Sequence, residues 1–178
     1  MKSTTILFKP LEPTDLALMH VWFHKPSIKQ WYTRNENYTR DMIDAKYLPR
    51  IRNPENIPNF IIYADNHPVG YIQLYSTSYA LPDGVTNYSH PLFAYAKPEN
   101  IAGLDMFIAE DAFLGKGYAT LALQNFITEH VKGKFSMLVV DPLKENTHAI
   151  QFFQKNGFAK LPDYQSHLHH ELLILHVN

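Results

Sequence analysis

Two sets of residues have types and spacings able to do chemistry. The first is the Gly-rich turn Leu114-Gly115-Lys116-Gly117-Tyr118-Ala119-Thr120, set between an apolar run and an amphipathic one. A strand, a turn and a helix in that order leave backbone amides unpaired at the helix N-terminus, where the helix dipole adds partial positive charge. The glycines let a phosphate approach the backbone, and Lys116 adds charge at the rim. The same residues also suit a plain tight turn. No Gly-Lys-Ser/Thr closes a Walker loop, and the three-glycine dinucleotide spacing is missing.

The second set is acidic. Asp105 alternates with Leu104, Met106 and Ile108, so it points away from their shared face and can orient a cationic amine or accept its proton. The alternative is a surface aspartate at a strand end. Asp141 follows an apolar strand and precedes Pro142, either as a turn former or as a second carboxylate over a site. Asn146 is an N-cap. His20 and His24 have metal-compatible i, i+4 spacing, and His167, His169, His170 and His176 crowd the C-terminal end. Without a companion Glu motif or any cysteine, we read these as solvated or hydrogen-bonded histidines and expect no metal. Trp31 and Tyr32 can wall an acceptor pocket or belong to the core.

The elements that would hold these residues read as follows. Thr4–Phe8 is a strand, Leu16–Phe23 a helix ended by Pro26, and Arg40–Leu48 a helix stopped by Pro49. Phe60–Ala64 and Val69–Tyr75 form a hairpin around Asp65-Asn66-His67-Pro68. Ser76–Ile101 is either a functional loop or lid, or a loop with a strand of its own. Leu104–Ile108 is a strand, Tyr118–Val131 a helix with Leu123, Phe126, Ile127 and Val131 inward, and Phe135–Val140 a buried strand. A last helix follows Asn146, with Ala149, Ile150, Phe152 and Phe153 inward and Gly157 at its end; Phe158–Leu161 and Leu172–Val177 close the sheet. The order is that of an α/β protein with helices on its sheet faces.

Composition narrows the function classes. At 178 residues with 46% hydrophobic and 19% charged residues, the chain reads as one globular domain. With no cysteine, it has no disulfide, thiolate metal site or cysteine nucleophile, which fits a reducing cytoplasm. A net charge of −1 gives no general pull toward nucleic acid, despite the basic and aromatic run Lys29–Arg34. No apolar run is long enough for a membrane span, and Met1–Pro10 does not read as a signal peptide.

The Gly-x-Gly-x-Ala turn and its helix are followed by Val140-Asp141-Pro142 and Asn146-x-x-Ala149-Ile150-x-Phe152-Phe153-x-x-x-Gly157-Phe158. Together these resemble the GNAT superfamily of acetyl-CoA-dependent N-acetyltransferases. Within it, the chain is similar to the aminoglycoside 6′-N-acetyltransferases through Trp31-Tyr32, Tyr47-Leu48-Pro49, Pro68-Val69-Gly70-Tyr71-x-Gln73-x-Tyr75 and Gly103-Leu104-Asp105-x-Phe107-Ile108. The resemblance implies a single α/β domain with a mixed, mostly antiparallel central sheet flanked by helices. It implies direct acetyl transfer from acetyl-CoA to a primary amine of a small molecule, aminoglycoside-like and antibiotic-resistance-like, with a homodimer as one arrangement open to it. Acetyl-CoA is then held by Gly115, Lys116, Gly117, Tyr118, Ala119 and Thr120, with Asn146, Phe153 and an amide near Phe107 or Ile108. Asp105 is the implied catalytic group, and Trp31, Tyr32, Gln73, Tyr75, Asp83, Asp105 and Asp141 face the acceptor.

Two positions and one segment depart from the family pattern. Leu114 stands where the pyrophosphate loop opens with Gln or Arg, which predicts weaker contacts rather than a lost site. Phe153 replaces a tyrosine often assigned as general acid to the leaving thiolate. Phenylalanine cannot donate a proton, but a thiol of pKa about 8.5 leaves tolerably as thiolate. Ser76–Ile101 carries only Asp83 and Glu99 as acids, where the resistance enzymes use an acidic loop. Other amines, such as a siderophore precursor or a peptide terminus, therefore stay open as acceptors, as does a non-catalytic CoA-binding domain.

Overall fold

The structure is a computed structural model and describes residues 4–162 and 167–178; Met1–Ser3, at the start of the segment read for a leader, lie outside them. Seven strands follow the order β1-β2-β3-β4-β5-β7-β6. They are β1 (Ile6–Pro10), β2 (Asn59–Ala64), β3 (His67–Ser76), β4 (Ile101–Ile108), β5 (Met137–Val140), β6 (Ala159–Lys160) and β7 (Leu173–His176). The β1–β2, β2–β3, β5–β7 and β6–β7 pairs are antiparallel, and β4–β5 is parallel. The helices are α1 (Leu16–Phe23), α2 (Pro26–Trp31), α3 (Arg40–Arg52), α4 (Tyr118–Phe126) and α5 (Thr147–Lys155). By backbone contacts the chain groups into two compact units, Met1–Gln73 with Met106–Leu123, and Leu74–Asp105 with Gln124–Asn178.

In the first unit, α1 and α3 bury Leu16, Met19, Trp22, Phe23, Ile43 and Tyr47 with Ile61, Tyr71 and Phe107. Two prolines behave differently from the sequence expectation. Pro26 does not merely end α1; it occupies the first turn of α2, where its missing N–H has no helical acceptor to lose and its φ is already helical. Pro49 lies inside α3 rather than stopping it. The bond it forfeits is that of the Ala45 carbonyl, on an exposed stretch where water can serve, and Asn53 N–H still reaches Pro49 O at 3.0 Å. The hairpin matches its expectation: Asp65 and Asn66 both take positive φ, 48° and 69°, as a two-residue turn of the I′ kind requires.

In the second unit, Ile101, Met137, Val139, Leu172 and Ile174 form a core that also takes Val85 and Leu92 from the 77–100 connection. That connection has no strand of its own. It contains 3-10 turns at Pro91–Ala94 and Pro98–Asn100. Its base is tied where Thr77, fully buried, donates its N–H to Ile101 O at 2.9 Å and its hydroxyl to Pro98 O at 2.7 Å. Asn146 caps α5 as expected, its Oδ1 accepting Ala149 N–H at 3.1 Å. The expected Tyr118–Val131 helix changes pitch, passing from α4 into a π turn over Ile127–Val131.

Among the described residues, β4 pairs with β5 through Ile101, Ala102 and Gly103 alone. The strand then runs on to Ile108. β4 is therefore zipped to β5 at its start and parts from it at Gly103.

Candidate active site

The Gly-rich turn lies in the first unit. Gly115 and Gly117 hold φ of 67° and 86°, and nothing stands within 4 Å of where a Cβ would be on either. Glycine is needed there for backbone conformation, and the space above it is open. The Leu121 N–H to Gly117 O bond, 3.0 Å, is the first full turn of α4, so the amides of Tyr118 and Ala119 precede it. This geometry fits a pyrophosphate approaching from outside. Lys116 is exposed at the turn, where its Nζ donates to Ala112 O at 2.7 Å. The Tyr118 ring packs edge-on against Phe113, 4.9 Å between centroids, leaving its amide as the group a ligand can use.

Backbone directions along β4 distinguish its amides. Ile101 O accepts Thr77 N–H on the β3 side, and Ala109 N–H donates to Val69 O at 2.8 Å, also on the β3 side. Groups alternate sides along a strand, so Phe107 faces β3 and Ile108 the opposite edge. Gly70 supports this: a Cβ there would lie 2.2 Å from Phe107 O, so the two backbones touch. Of the two amides expected to polarise a thioester carbonyl, the geometry therefore favours Ile108 over Phe107. The Phe107 ring is core. It stacks on Tyr71 at 5.6 Å and meets Tyr32 at 4.8 Å and Trp22 at 6.0 Å.

The carboxylates lie in the second unit, gathered at the fork of the strands. Tyr75 is buried, and its ring lies against Gly103, whose missing Cβ would stand 2.0 Å from the ring's Cζ. Burial pushes the Tyr75 phenol well above its ordinary value, and Asp141, Asp105 and Asp83 add to the rise in that order. The phenol is thus a neutral hydroxyl at physiological pH with three carboxylates acting on it. Asp83 N–H donates to Asp141 Oδ2, joining the long connection to the end of β5. Asp105, half-buried, shares the Gly103 face of β4 two residues on. The long connection itself is poor in acids, as its sequence indicates. The fold joins Asp83 to Asp141 and brings Asp83, Asp105 and Asp141 to act on one phenol, and chain separation hides that grouping from a reading along the sequence.

The remaining expected site residues divide among different surroundings. Tyr32 and Gln73 join a polar–aromatic cluster in the first unit, where Arg50 donates to Gln73 Oε1 at 2.8 Å and Tyr71 to the same oxygen at 2.8 Å. Tyr71 also bonds Asn59 Oδ1. Arg50 is not singled out by the sequence, and nothing in its spacing marks it. Burial raises the Tyr47 phenol in this cluster against Lys46, the Tyr32 hydroxyl, Arg50 and the Tyr71 hydroxyl. Trp31 ends α2, half-buried. In the second unit, Phe153 is buried edge-on between Phe152 at 5.1 Å and Phe158 at 5.2 Å. His24 Nδ1 lies 2.8 Å from His20 O, and among the described residues no three His, Cys, Asp or Glu side chains group as metal ligands. No helix among the described residues is long and apolar enough to cross a membrane.

Comparison with known proteins identifies the fold and the family. Residues 12–166 match the acetyltransferase (GNAT) domain family. The aminoglycoside acetyltransferase AAC(6′)-Ib in complex with coenzyme A and kanamycin superposes with a TM-score of 0.76 at 22% identity, over 97% of this chain and 95% of that one. The aminoglycoside N(6′)-acetyltransferase of Legionella pneumophila gives 0.68 at 19% identity, over 99% and 94%. An acetyltransferase from Thermus thermophilus gives 0.71 at 22%, over 97% of each chain. At these identities the structures report a shared fold, and the family match carries the assignment: the chain belongs to the GNAT family of acetyltransferases.

Proposed function

We propose that this acetyltransferase moves an acetyl group from acetyl-CoA directly to a primary amine of a small polycationic molecule, with an aminoglycoside as the model acceptor. The observation that carries the acceptor class is the gathering of Asp83, Asp105 and Asp141 around the buried Tyr75 phenol. Three carboxylates on one neutral hydroxyl attract an acceptor with several ammonium groups and offer little to an anionic one. Two solved relatives whose names give aminoglycosides as substrate, one of them holding kanamycin, support the same class.

Acetyl-CoA supplies a thioester whose acyl carbon is open to attack. The Gly115–Thr120 turn holds its pyrophosphate on backbone amides; in the second unit, Asn146 and Phe153 are the residues this reading assigns to the cofactor. The Ile108 amide donates to the carbonyl oxygen as it gains charge. Asp105 takes the proton from the ammonium, directly or through water, so that the nitrogen lone pair forms the new N–C bond as the C–S bond breaks. The electron pair leaves on sulfur, and with phenylalanine at 153 water passes the second proton of the attacking nitrogen to it, leaving the neutral amide and the free thiol. Within the first unit, Trp31, Tyr32 and Gln73 are the residues this reading assigns to acceptor binding. A cytoplasmic protein, monomeric or homodimeric, with no metal, nucleic-acid or membrane partner, completes this reading.

The test is thiol release from acetyl-CoA across kanamycin, spermidine, a monoamine, a hydroxamate-precursor amine of the siderophore type and a peptide N-terminus. The expected order places the polycations first. Preference for the siderophore-type amine or the peptide would replace the acceptor class, and CoA binding without turnover on any amine would remove the reading.

A further inference from the structure

We infer that His170 is the positioning residue of the acceptor carboxylates, holding Asp141 where it can bind both Asp83 and the acceptor. This rests on the acceptor reading above. His170 Nδ1 lies 2.9 Å from the backbone carbonyl of Asp141. A carbonyl only accepts, so Nδ1 carries the proton and the imidazole is the donor. The side chain of the same aspartate accepts Asp83 N–H. Asp141 is thus held at both ends, by the imidazole behind it and by the long connection in front.

The segment carrying His170 is built to hold that contact. Lys144 N–H donates to His169 O at 3.0 Å, Glu171 N–H donates to Pro142 O at 2.9 Å, and Leu143 bridges His170. The histidine is 6% exposed. Beside Asp83, Gly84 takes φ of 87°, and a Cβ there would lie 3.1 Å from His167 Cβ and 3.4 Å from His170 Cβ. The two histidines therefore border the residue next to the first carboxylate, where only a glycine leaves them room. Of the three acids acting on Tyr75, Asp141 acts most strongly. Loss of the imidazole bond frees the most influential member of the cluster and, through it, Asp83.

The experiment compares three forms of the full chain. His170→Phe keeps a ring and removes the donor, with His170→Leu taking its place should it not fold. His170→Asn restores a donor, because the asparagine Nδ2 stands where Nδ1 stood. Amide hydrogen exchange at Asp83 should be about tenfold faster in the Phe form and near wild type in the Asn form. KM for kanamycin should rise by about tenfold in the Phe form, with kcat and KM for benzylamine little changed, and recover in the Asn form. An Asp83 amide that exchanges alike in all three forms, or equally fast in the Phe and Asn forms, overturns the proposal. So does a kanamycin KM that moves no more than that for benzylamine. A wild type that acetylates no amine counts against the transfer reading alone, and the exchange pattern then decides whether His170 positions Asp141.

Discussion

The Tyr75 ring lies where a side chain on Gly103 would have to be, with its hydroxyl 2.3 Å from the missing Cβ. The glycine is therefore required for space and not for its φ. Gly103→Ala should destabilise the protein by about 1–3 kcal/mol, the usual cost of overpacking, and raise KM for a polycationic acceptor. In a Tyr75→Ala background the same change should cost little. A double-mutant cycle by thermal denaturation gives the coupling directly, and additive effects would show that the ring and the glycine do not touch.

Asp105→Asn keeps size and hydrogen bonding while removing charge and basicity. Turnover should fall by about 10²–10⁴, with CoA affinity by calorimetry unchanged. Unchanged activity across pH would make Asp105 peripheral, and joint loss of activity and CoA binding would make it a folding residue.

The open space over Gly115 and Gly117, and the Lys116 contact with Ala112, separate two kinds of phosphate grip. If backbone amides do the holding, Gly117→Val should weaken CoA strongly while Lys116→Ala changes Kd by less than about threefold. Because Gly117 has φ of 86°, the valine form needs a circular dichroism and melting control for local strain. A Lys116→Ala loss as large as the glycine's would put charge, not geometry, at the centre of binding.

Glu110 follows β4 and is fixed by Trp22 Nε1 at 2.6 Å and Lys25 Nζ at 3.1 Å. The tryptophan bond is the largest effect and lowers its carboxyl below the ordinary 4.5; burial opposes it next, and the bond and charge of Lys25 add to the lowering. A depressed folded-state value means the stabilisation is present above the unfolded value and is lost as pH falls through the folded one. Wild type should therefore exceed Glu110→Gln in melting temperature at about pH 6, with the gap closing toward about pH 3. A gap that widens on acidification would show that the sign is wrong.

Phe153→Tyr should restore a proton donor at the departing sulfur. We expect an intact fold and turnover raised severalfold, most clearly below about pH 8, where protonating the thiolate helps most. An active enzyme with no gain would mean that thiolate release does not limit the rate.

Local patterns in the sequence are enough to place most elements. The Asp65-Asn66 turn, the Asn146 cap, the inward face of α4 and the Gly-rich turn each follow from a few adjacent residues. Prolines mislead where helix position decides their effect: Pro26 begins a helix and Pro49 rides inside one. The acidic cluster is legible as separate residues but not as a group. Asp83 and Asp141 are 58 positions apart, and what joins them is a backbone amide on one side and an oxygen on the other. Nothing in residue type marks that bond, nor the one from His170, because both depend on how the long connection and the C-terminal segment lie beside β5. The fork after Gly103 is equally hidden, since parallel pairing between β4 and β5 leaves no local signature.

Because the acids come from three separate stretches of chain, and the Gly-rich turn from a fourth, the acceptor range and the cofactor grip proposed for them can be inherited independently. A lineage could exchange Asp83 within its connection, or Asp105 on its strand, and alter how many ammonium groups the protein prefers without disturbing the turn. Asp141 is the position with least freedom to drift, since its backbone and side chain each hold another segment. Selection for a new amine should therefore accumulate changes at 83 and 105 before it touches 141.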